Sequence, residues 1–493
     1  MAEPALAPRL LDTLQDALQR AERPRPRAVA RWPHAHWLAV GTVCLGAFLG
    51  QLTASVTSLV FPALEQRFDA GFAAVEWVSL SYLLVLVALL APVGRLSDLV
   101  GRKTMYLGGF AVFAAASLGA GLAGSLAVLV ACRAVQAVGG AMMQANSVAL
   151  VARGVPERAM RTALGIQAAA QALGLALGPT LGGLLVTHAS WRWAFWVNVP
   201  IGVLGILAGW FLLPRTFPDG RPARPARSVR SVRSVRSVRS KDAGGRFDLA
   251  GLLLLAGAST ALLLALSAAS GLPLPGWAVA ALAVLAVLAA AGLVRQERRA
   301  DRPIVPPGLV NTPGIRAGLV VALIGYLLLF CPLVLEPVVL AGRGVPAATA
   351  GVAITALPAA FALAATVGGG LLPRGWSDAV RCRAGALLAA AGLLVLAVLP
   401  APGAGAAVGP LLAAGYGLGL LLPANNALVM RAIPAQSSAV GGGLVNMVRS
   451  LGTALGTALP VLAVHLAGAA SGGRAVLLLL AAVAVLAARL SAR

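Results

Sequence analysis

Apolar runs alternate along this chain with short polar segments. They lie near 37–63, 76–94, 105–124, 126–151, 160–187, 194–213, 248–270, 277–294, 316–341, 348–372, 384–400, 405–430, 438–466 and 474–491. A helix of about 20 apolar residues crosses the hydrocarbon core of a bilayer, so the pattern predicts fourteen transmembrane helices. The strict apolar–polar alternation of a membrane β-barrel strand is missing from these runs. Dividing the chain among the spans leaves about 35 residues for each helix with its loop, too few for a separate soluble domain. The reading is an all-α integral membrane protein.

Composition agrees. Hydrophobic residues make up 59% of the 493 positions and charged ones 11%, against about 45–50% and about 25% in soluble domains. The chain is also far too apolar to be disordered throughout. The net charge of +23 would suggest nucleic acid in a soluble protein. Here its placement matters more. With the N-terminus in the cytoplasm, 33 of the 39 Lys and Arg fall in the tails and in the loops on that side. Only Arg67, Arg192, Arg343 and Arg474 fall on the other side, and Arg133 and Arg449 lie inside spans. The positive-inside rule then puts both termini in the cytoplasm and supports an even number of spans. No nucleic-acid partner is needed to explain the charge.

The tail 1–36 is not a signal peptide, because Arg9, Asp12, Asp16, Arg20 and Arg23 interrupt any apolar core. Leu10, Leu14 and Leu18 share a helical face, which suits either a surface-lying amphipathic helix or a partly helical tail. The segment 214–247 carries RSVRSVRSVRSVRS at 227–240 and reads as a disordered basic linker, able to touch anionic lipid. Four scattered histidines and four cysteines without CxxC spacing give no metal site, and no nucleophile–base pair suggests a catalytic one.

Several motifs sit at informative places. GRLSDLVGRK between spans two and three sets Gly94, Asp98, Gly101, Arg102 and Lys103 in the spacing G-x-x-x-D-x-x-G-R-K. A tight turn between packed helices calls for the glycines, and the charges can pair or cap helix ends. WVSLSYLL opens span two, and RAVQAVGGA at 133–141 lies in span four. GLALGPTLGG in span five contains Gly174, Gly178, Pro179, Gly182 and Gly183, and GGGLVNMVRSLGTALG at 441–456 opens span thirteen. Together these resemble the major facilitator superfamily, in particular its fourteen-span drug:proton antiporter branch. The first motif is similar to the family's cytoplasmic gating motif and the span-five motif to its antiporter motif.

The resemblance implies two six-helix bundles, 37–213 and 316–493, around a cavity near the midplane. Two extra spans, 248–294, and a connector, 295–315, would lie between them in sequence. It further implies a multi-pass transporter of the plasma (inner) membrane working by alternating access. Its partners would be a small-molecule substrate, protons and lipid, with a proton gradient as energy source and no cofactor. Asp98 would act at the gate, facing the start of span thirteen near Ser437 and Ser438.

Helical spacing singles out further residues. Gln167, Gln171, Gly174, Gly178 and Gly182 form one stripe of span five, and Arg133, Gln136, Gly140 and Gln144 one face of span four. Such stripes are either packing seams or cavity walls. Gln51 and Ser55 in span one, Tyr326 in span nine, Asn425 in span twelve, and Asn446 and Arg449 in span thirteen are the other substrate-cavity candidates. Each equally suits an interhelical hydrogen bond. Relatives keep an Asp in span one, where this chain has Thr53. Glu336 is then the one acid well inside a predicted span. Embedded acids normally face protein or water and carry function, so Glu336, with Arg133, is a proton-coupling candidate; a solvated interfacial Glu is the other reading.

The resemblance favours a proton-coupled exporter of drugs or secondary metabolites. An uncoupled carrier of one specific metabolite is the alternative, supported by Thr53. The topology is testable with fusions after residue 493. A green fluorescent protein there is expected to fluoresce and an alkaline phosphatase to stay inactive; the reverse would overturn the orientation.

Overall fold

A computed structural model describes residues 25–156, 159–215, 248–269, 274–300, 308, 312–368, 376–399, 403–433 and 438–491. The tail with Leu10, Leu14 and Leu18, the 227–240 repeat and Ser437 lie outside the described residues, as does the side chain of Asp98.

Regular structure among the described residues is helical throughout. The span-sized helices are α1 Ala35–Phe68, α2 Trp77–Val100, α3 Arg102–Gly121, α4 Leu126–Gly154, α5 Met160–His188, α6 Asn198–Leu212, α7 Leu249–Ala269 and α8 Gly276–Glu297. The second half holds α9 Pro313–Ala341, α10 Ala347–Leu363, α11 Asp378–Val398 and α12 Ala404–Ala432. The last segment, Ser438–Leu490, breaks at Gly468 (φ 75°, ψ 166°) and forms two spans, α13 Leu444–Ala469 and α14 Ser471–Leu490. Helices satisfy their own backbone hydrogen bonds, which is what permits apolar segments to enter lipid. Among the described residues, thirteen helices are long and apolar enough to cross a membrane. α7 contributes a shorter apolar stretch, Leu253–Ala269. The expected fourteen are thus thirteen of span length and one shorter.

The packing builds two bundles. In the first, α1 lies on α5, α4 on α2 and α3, and α6 on α1 and α3. In the second, α9 lies on α13 and α12, α11 on α12 and α14, and α10 on α12. Phe110, Phe113 and Tyr106 centre part of the first core, while Leu328, Leu393 and Leu418 lie in the core of the second. α5 runs parallel to α1, since Gly174 meets Phe48 and Gly182 meets Leu59. α5 also packs its last turns on the first turns of α10. Arg474, at the start of α14, donates to Ala397 O at the end of α11 (2.9 Å). Arg431, at the end of α12, pairs with Asp378 at the start of α11 (2.8 Å). Following these contacts, α1 starts and α14 ends on one face, called the terminal face below.

The extra pair sits to one side. α7 packs on α2 and α13, where the two bundles meet, and α8 packs on α7. Within α8 only Ala286 and Glu297 are buried, and Trp277 is 74% exposed. An apolar helix this bare is built to face lipid. Asp248 Oδ1 holds the start of α7 by accepting from Gly251 N (2.8 Å) and from Gln296 Nε2 of α8 (2.9 Å).

The α2–α3 joint is a single residue, Gly101, at φ 105°. No side-chain-bearing residue takes that φ readily. The same motif's Lys103 is 1% exposed. Its Nζ donates to Trp210 O (3.0 Å) and Leu213 O (2.9 Å), closing off the last turn of α6. A cation at a helix C-terminus meets both the orphan carbonyls and the negative end of the dipole. Lys103→Met is therefore expected to cost about 1–3 kcal/mol, read as a lower apparent melting temperature in detergent. Unchanged melting would mean that these bonds carry no stability.

Candidate functional site

The antiporter-like motif of α5 serves two neighbours. Gly174, Gly178 and Gly182 lie against α1. A Cβ on Gly174 would run into Phe48 O, and one on Gly178 into Ser55 Oγ. One on Gly182 would crowd Leu59 Cβ at 3.1 Å. Pro179 and Gly183 lie against α10 instead. There a Cβ on Gly183 would overlap Ala347 O, and one on Gly351 would overlap Pro179 O. Small residues let backbones meet in lipid, where no hydrophobic force draws helices together. Two hydrogen bonds reinforce the second seam. Thr180 and Thr355 share one between hydroxyls (2.6 Å), and Thr187 Oγ1 accepts from Ala348 N (3.1 Å). The α5–α10 seam joins the bundles at the face opposite the terminal one.

Below that seam, near the middle of the helices, a narrow cleft opens between the bundles. Gln51, Gln144 and Gln171 give it polar edges, Tyr82 and Phe330 give it aromatic walls, and Arg449 gives it a charge. Arg449 Nη1 donates to Gln171 Oε1 (3.2 Å), a bond from α13 to α5 and so across the bundles. Its guanidinium also lies 5.3 Å from the Tyr326 ring centre.

Of the residues singled out in the sequence, Gln51, Gln171 and Arg449 meet in this cavity, with Tyr326 behind Arg449. Others tie helices together. Ser55 Oγ donates within α1 to Gln51 O (3.0 Å) and reaches Gly174 O at 3.4 Å. Asn425 Nδ2 donates to Gly318 O (2.9 Å), joining α12 to α9. Gln136 Nε2 donates to Ser117 Oγ (2.5 Å), and its Oε1 accepts from Arg133. Gln167 is buried, with Oε1 unpartnered, and Asn446 is half-buried. Neither lines the cavity. Gln144 was legible only as a member of a helical face, and Tyr82 and Phe330 were not singled out by the sequence; the cavity gives all three a place.

Arg133 is 1% exposed. Its Nε donates to Val78 O (2.7 Å), and its guanidinium stacks 4.5 Å from the Tyr82 ring centre and 5.9 Å from that of Phe195. Backbone, amide and ring faces satisfy this buried cation without a carboxylate. It borders a smaller void above the cavity, with Ser58, Ser79 and Thr457.

Thr53 donates to Asn198 Oδ1 of α6 (2.9 Å), and both residues are buried. Glu336 is 3% exposed, which removes the solvated reading, and it lines neither void. It shares the helix face of Gly318 and Gly325, which packs on α12. Glu76, a helix-start residue by sequence, is fully buried. Its Oε1 accepts from Ser267 of α7, while Oε2 has no hydrogen-bond partner. Trp77 Nε1 donates to the same Ser267 Oγ (2.9 Å). The extra helix is thus fastened to the first bundle through an embedded acid that sequence spacing did not reveal.

A family model described as Major Facilitator Superfamily matches residues 43–457. The chain belongs to the major facilitator superfamily. It is 30% identical over 434 residues to the tetracenomycin C resistance and export protein of Streptomyces glaucescens, covering 86% of this chain and 75% of that one. It is 30% identical to the multidrug resistance protein Stp of Mycobacterium tuberculosis (84% and 73% covered). It is 26% identical to the riboflavin transporter RibZ of Clostridioides difficile (86% and 87% covered). Among solved structures, a bacterial homolog of the human lysosomal transporter Spinster, inward-facing and unoccupied, matches with TM-score 0.60. That structure shares 16% identity, with 93% of this chain and 97% of the other covered, so the likeness concerns the fold. This facilitator is therefore a multi-pass membrane transporter, not an enzyme, and its relatives set it in the drug-efflux branch.

The two seams separate experimentally. Gly183→Val is expected to leave the protein folded but prop the bundles apart at the far face. A cysteine at Thr355→Cys, half-buried in the seam, should then react several-fold faster with a membrane-impermeant maleimide. Gly178→Val crowds α1 within one bundle and is expected to lower yield and melting temperature instead. Equal behaviour of the two variants would refute the division.

Proposed function

We propose that this facilitator is a proton-coupled exporter of amphipathic small molecules. It works by alternating access in the plasma membrane, with both termini in the cytoplasm. One observation carries the reading: the bundles are sealed by backbone contact at the face opposite the termini, while a polar and aromatic cavity lies at their centre. Parting α5 from α10 would expose that cavity to the far side. The charge asymmetry of the loops supports the orientation, and relatives named for resistance and export support the direction of transport.

Protonation falls to embedded acids in this proposal. Glu336 is the first candidate, placed in the second bundle away from the cavity wall. Arg133, enclosed by neutral partners, braces α4 against α2. Asp98 acts at the terminal-face gate, so that Asp98→Asn folds but turns over slowly. The competing reading, an uncoupled carrier of one metabolite, draws on the neutral Thr53–Asn198 pair and on the riboflavin-transporter relative.

Efflux of a substrate panel from a pump-deficient host, with and without an uncoupler, separates the two readings. Proton coupling requires that the uncoupler abolish efflux; insensitivity would favour the uncoupled carrier. In proteoliposomes, Glu336→Gln is expected to lose accumulation driven by a pH gradient while retaining substrate exchange. Undiminished gradient-driven uptake would remove Glu336 from the mechanism.

A further inference from the structure

The central cavity has a one-sided electrostatic character. None of the residues lining it, or the smaller void above it, is acidic. Thr53 of α1 is neutral and already engaged with Asn198. The embedded acids Glu336 and Glu76 lie outside both linings. The cations, by contrast, are in place. Arg449 stands half-buried on the cavity wall, and Arg133 borders the void above. Arg133 is enclosed, donating to Val78 O and Gln136 and stacked between the Tyr82 and Phe195 rings. Arg449 has one described hydrogen bond, to a neutral amide, and no carboxylate partner among the described residues. A guanidinium carries five N–H donors, so most of its capacity is unspent.

We infer that this cavity takes an amphipathic organic oxyanion, a carboxylate or phenolate on an apolar aromatic body, with Arg449 as its anchor. The inference rests on the reading of the cavity as the substrate site. A guanidinium binds a carboxylate through two parallel hydrogen bonds and stacks on rings. Tyr82, Tyr106 and Phe330 supply aromatic surface for the body. A lipophilic cation would find rings but no counter-charge, and two guanidiniums to repel it. The position of Arg449 adds a consequence. Its bond to Gln171 links α13 to α5, so an oxyanion that takes over the guanidinium releases one tie between the bundles as it binds.

The test uses the full-length protein in nanodiscs at equilibrium, with no gradient. Three probes share one ring system and differ in charge: 2-naphthoate, 2-naphthamide and 2-naphthylmethylammonium. Naphthoate is expected to bind about tenfold tighter than naphthamide, as one charge-assisted contact would give, and the ammonium weakest of all. Arg449→Gln should collapse the naphthoate-to-naphthamide ratio toward one, and Arg449→Lys should keep part of it. Should the variants misfold, the wild-type protein still decides. Binding of 2-naphthol must then strengthen as pH rises through the phenol's own ionisation. The inference is overturned by undetectable naphthoate binding, by an ammonium that binds as tightly, by an unchanged ratio in Arg449→Gln, or by 2-naphthol binding that ignores its charge. Because no transport is measured, selective binding without uncoupler-sensitive efflux would sink the coupling proposal alone. Efflux of cations with no oxyanion binding would sink this inference alone.

Discussion

Everything in this transporter turns on how closely α5 can approach two partners at once. In lipid, helices are not pushed together by water, so association depends on van der Waals fit and on hydrogen bonds. α5 obtains that fit with glycines in two registers. The 174, 178 and 182 positions dock on α1, and Pro179 and Gly183 dock on Gly351 of α10. The first contact lies within a bundle and the second between bundles. Packed interfaces are bistable rather than continuously deformable. A backbone seam with no flexible side chain to take up slack is therefore either shut or parted, which is what a two-sided gate needs.

The rest of the polar inventory divides sharply between settled and unsettled groups. Lys103, Arg133, Thr53 and Asn425 each have their hydrogen bonds met by backbone or neutral side chains. Such satisfaction is what a buried polar group requires to be tolerated at all. Several buried amides also keep an unpartnered atom, Gln167 Oε1 among them, and three ionisable groups bear most on the site. Arg449 is charged on a cavity wall with only an amide beside it. Glu336 is buried within α9, and Glu76 keeps one carboxylate oxygen unpartnered. Embedded ionisable groups without full compensation are expensive, and they are where function concentrates in membrane proteins.

The sequence was most informative where physics acts locally. Span length and the sidedness of Arg and Lys depend on the bilayer, not on partners, so the helical membrane class could be read directly, while the two-bundle order came from the family resemblance. Gly101 was legible as a turn glycine from its motif, and the structure narrows the expected loop between 94 and 105 to that one residue. Pairings at long range were not. The stripe of α5 reads as a single seam, yet Gly183 lies one residue, or about 100° of helix, beyond Gly182 and so faces a different neighbour. Glu76 stands at the start of a predicted span, and nothing local points to its partner, Ser267, which lies 191 positions away. Spacing likewise put Gln136, Asn425 and Ser55 on the same footing as Gln51 and Gln171. Only the arrangement of neighbouring helices separates ties from cavity walls.

That arrangement constrains any coupling of substrate to protons. Where an acid stands in the cavity, proton and substrate can compete for it directly. Here the cavity wall offers a guanidinium, which holds its proton throughout, and the acids lie elsewhere. Competition at one site is therefore unavailable, and coupling must pass through the relative position of the bundles. α5 is the element that can carry it. Its Gln171 meets Arg449 of the second bundle beside the cavity, and its Thr180 meets Thr355 of the same bundle at the far face. Both crossings lie on one helix, so a change at either end alters the balance at the other. A proton taken up off the cavity wall needs only to bias that balance to be felt by the substrate.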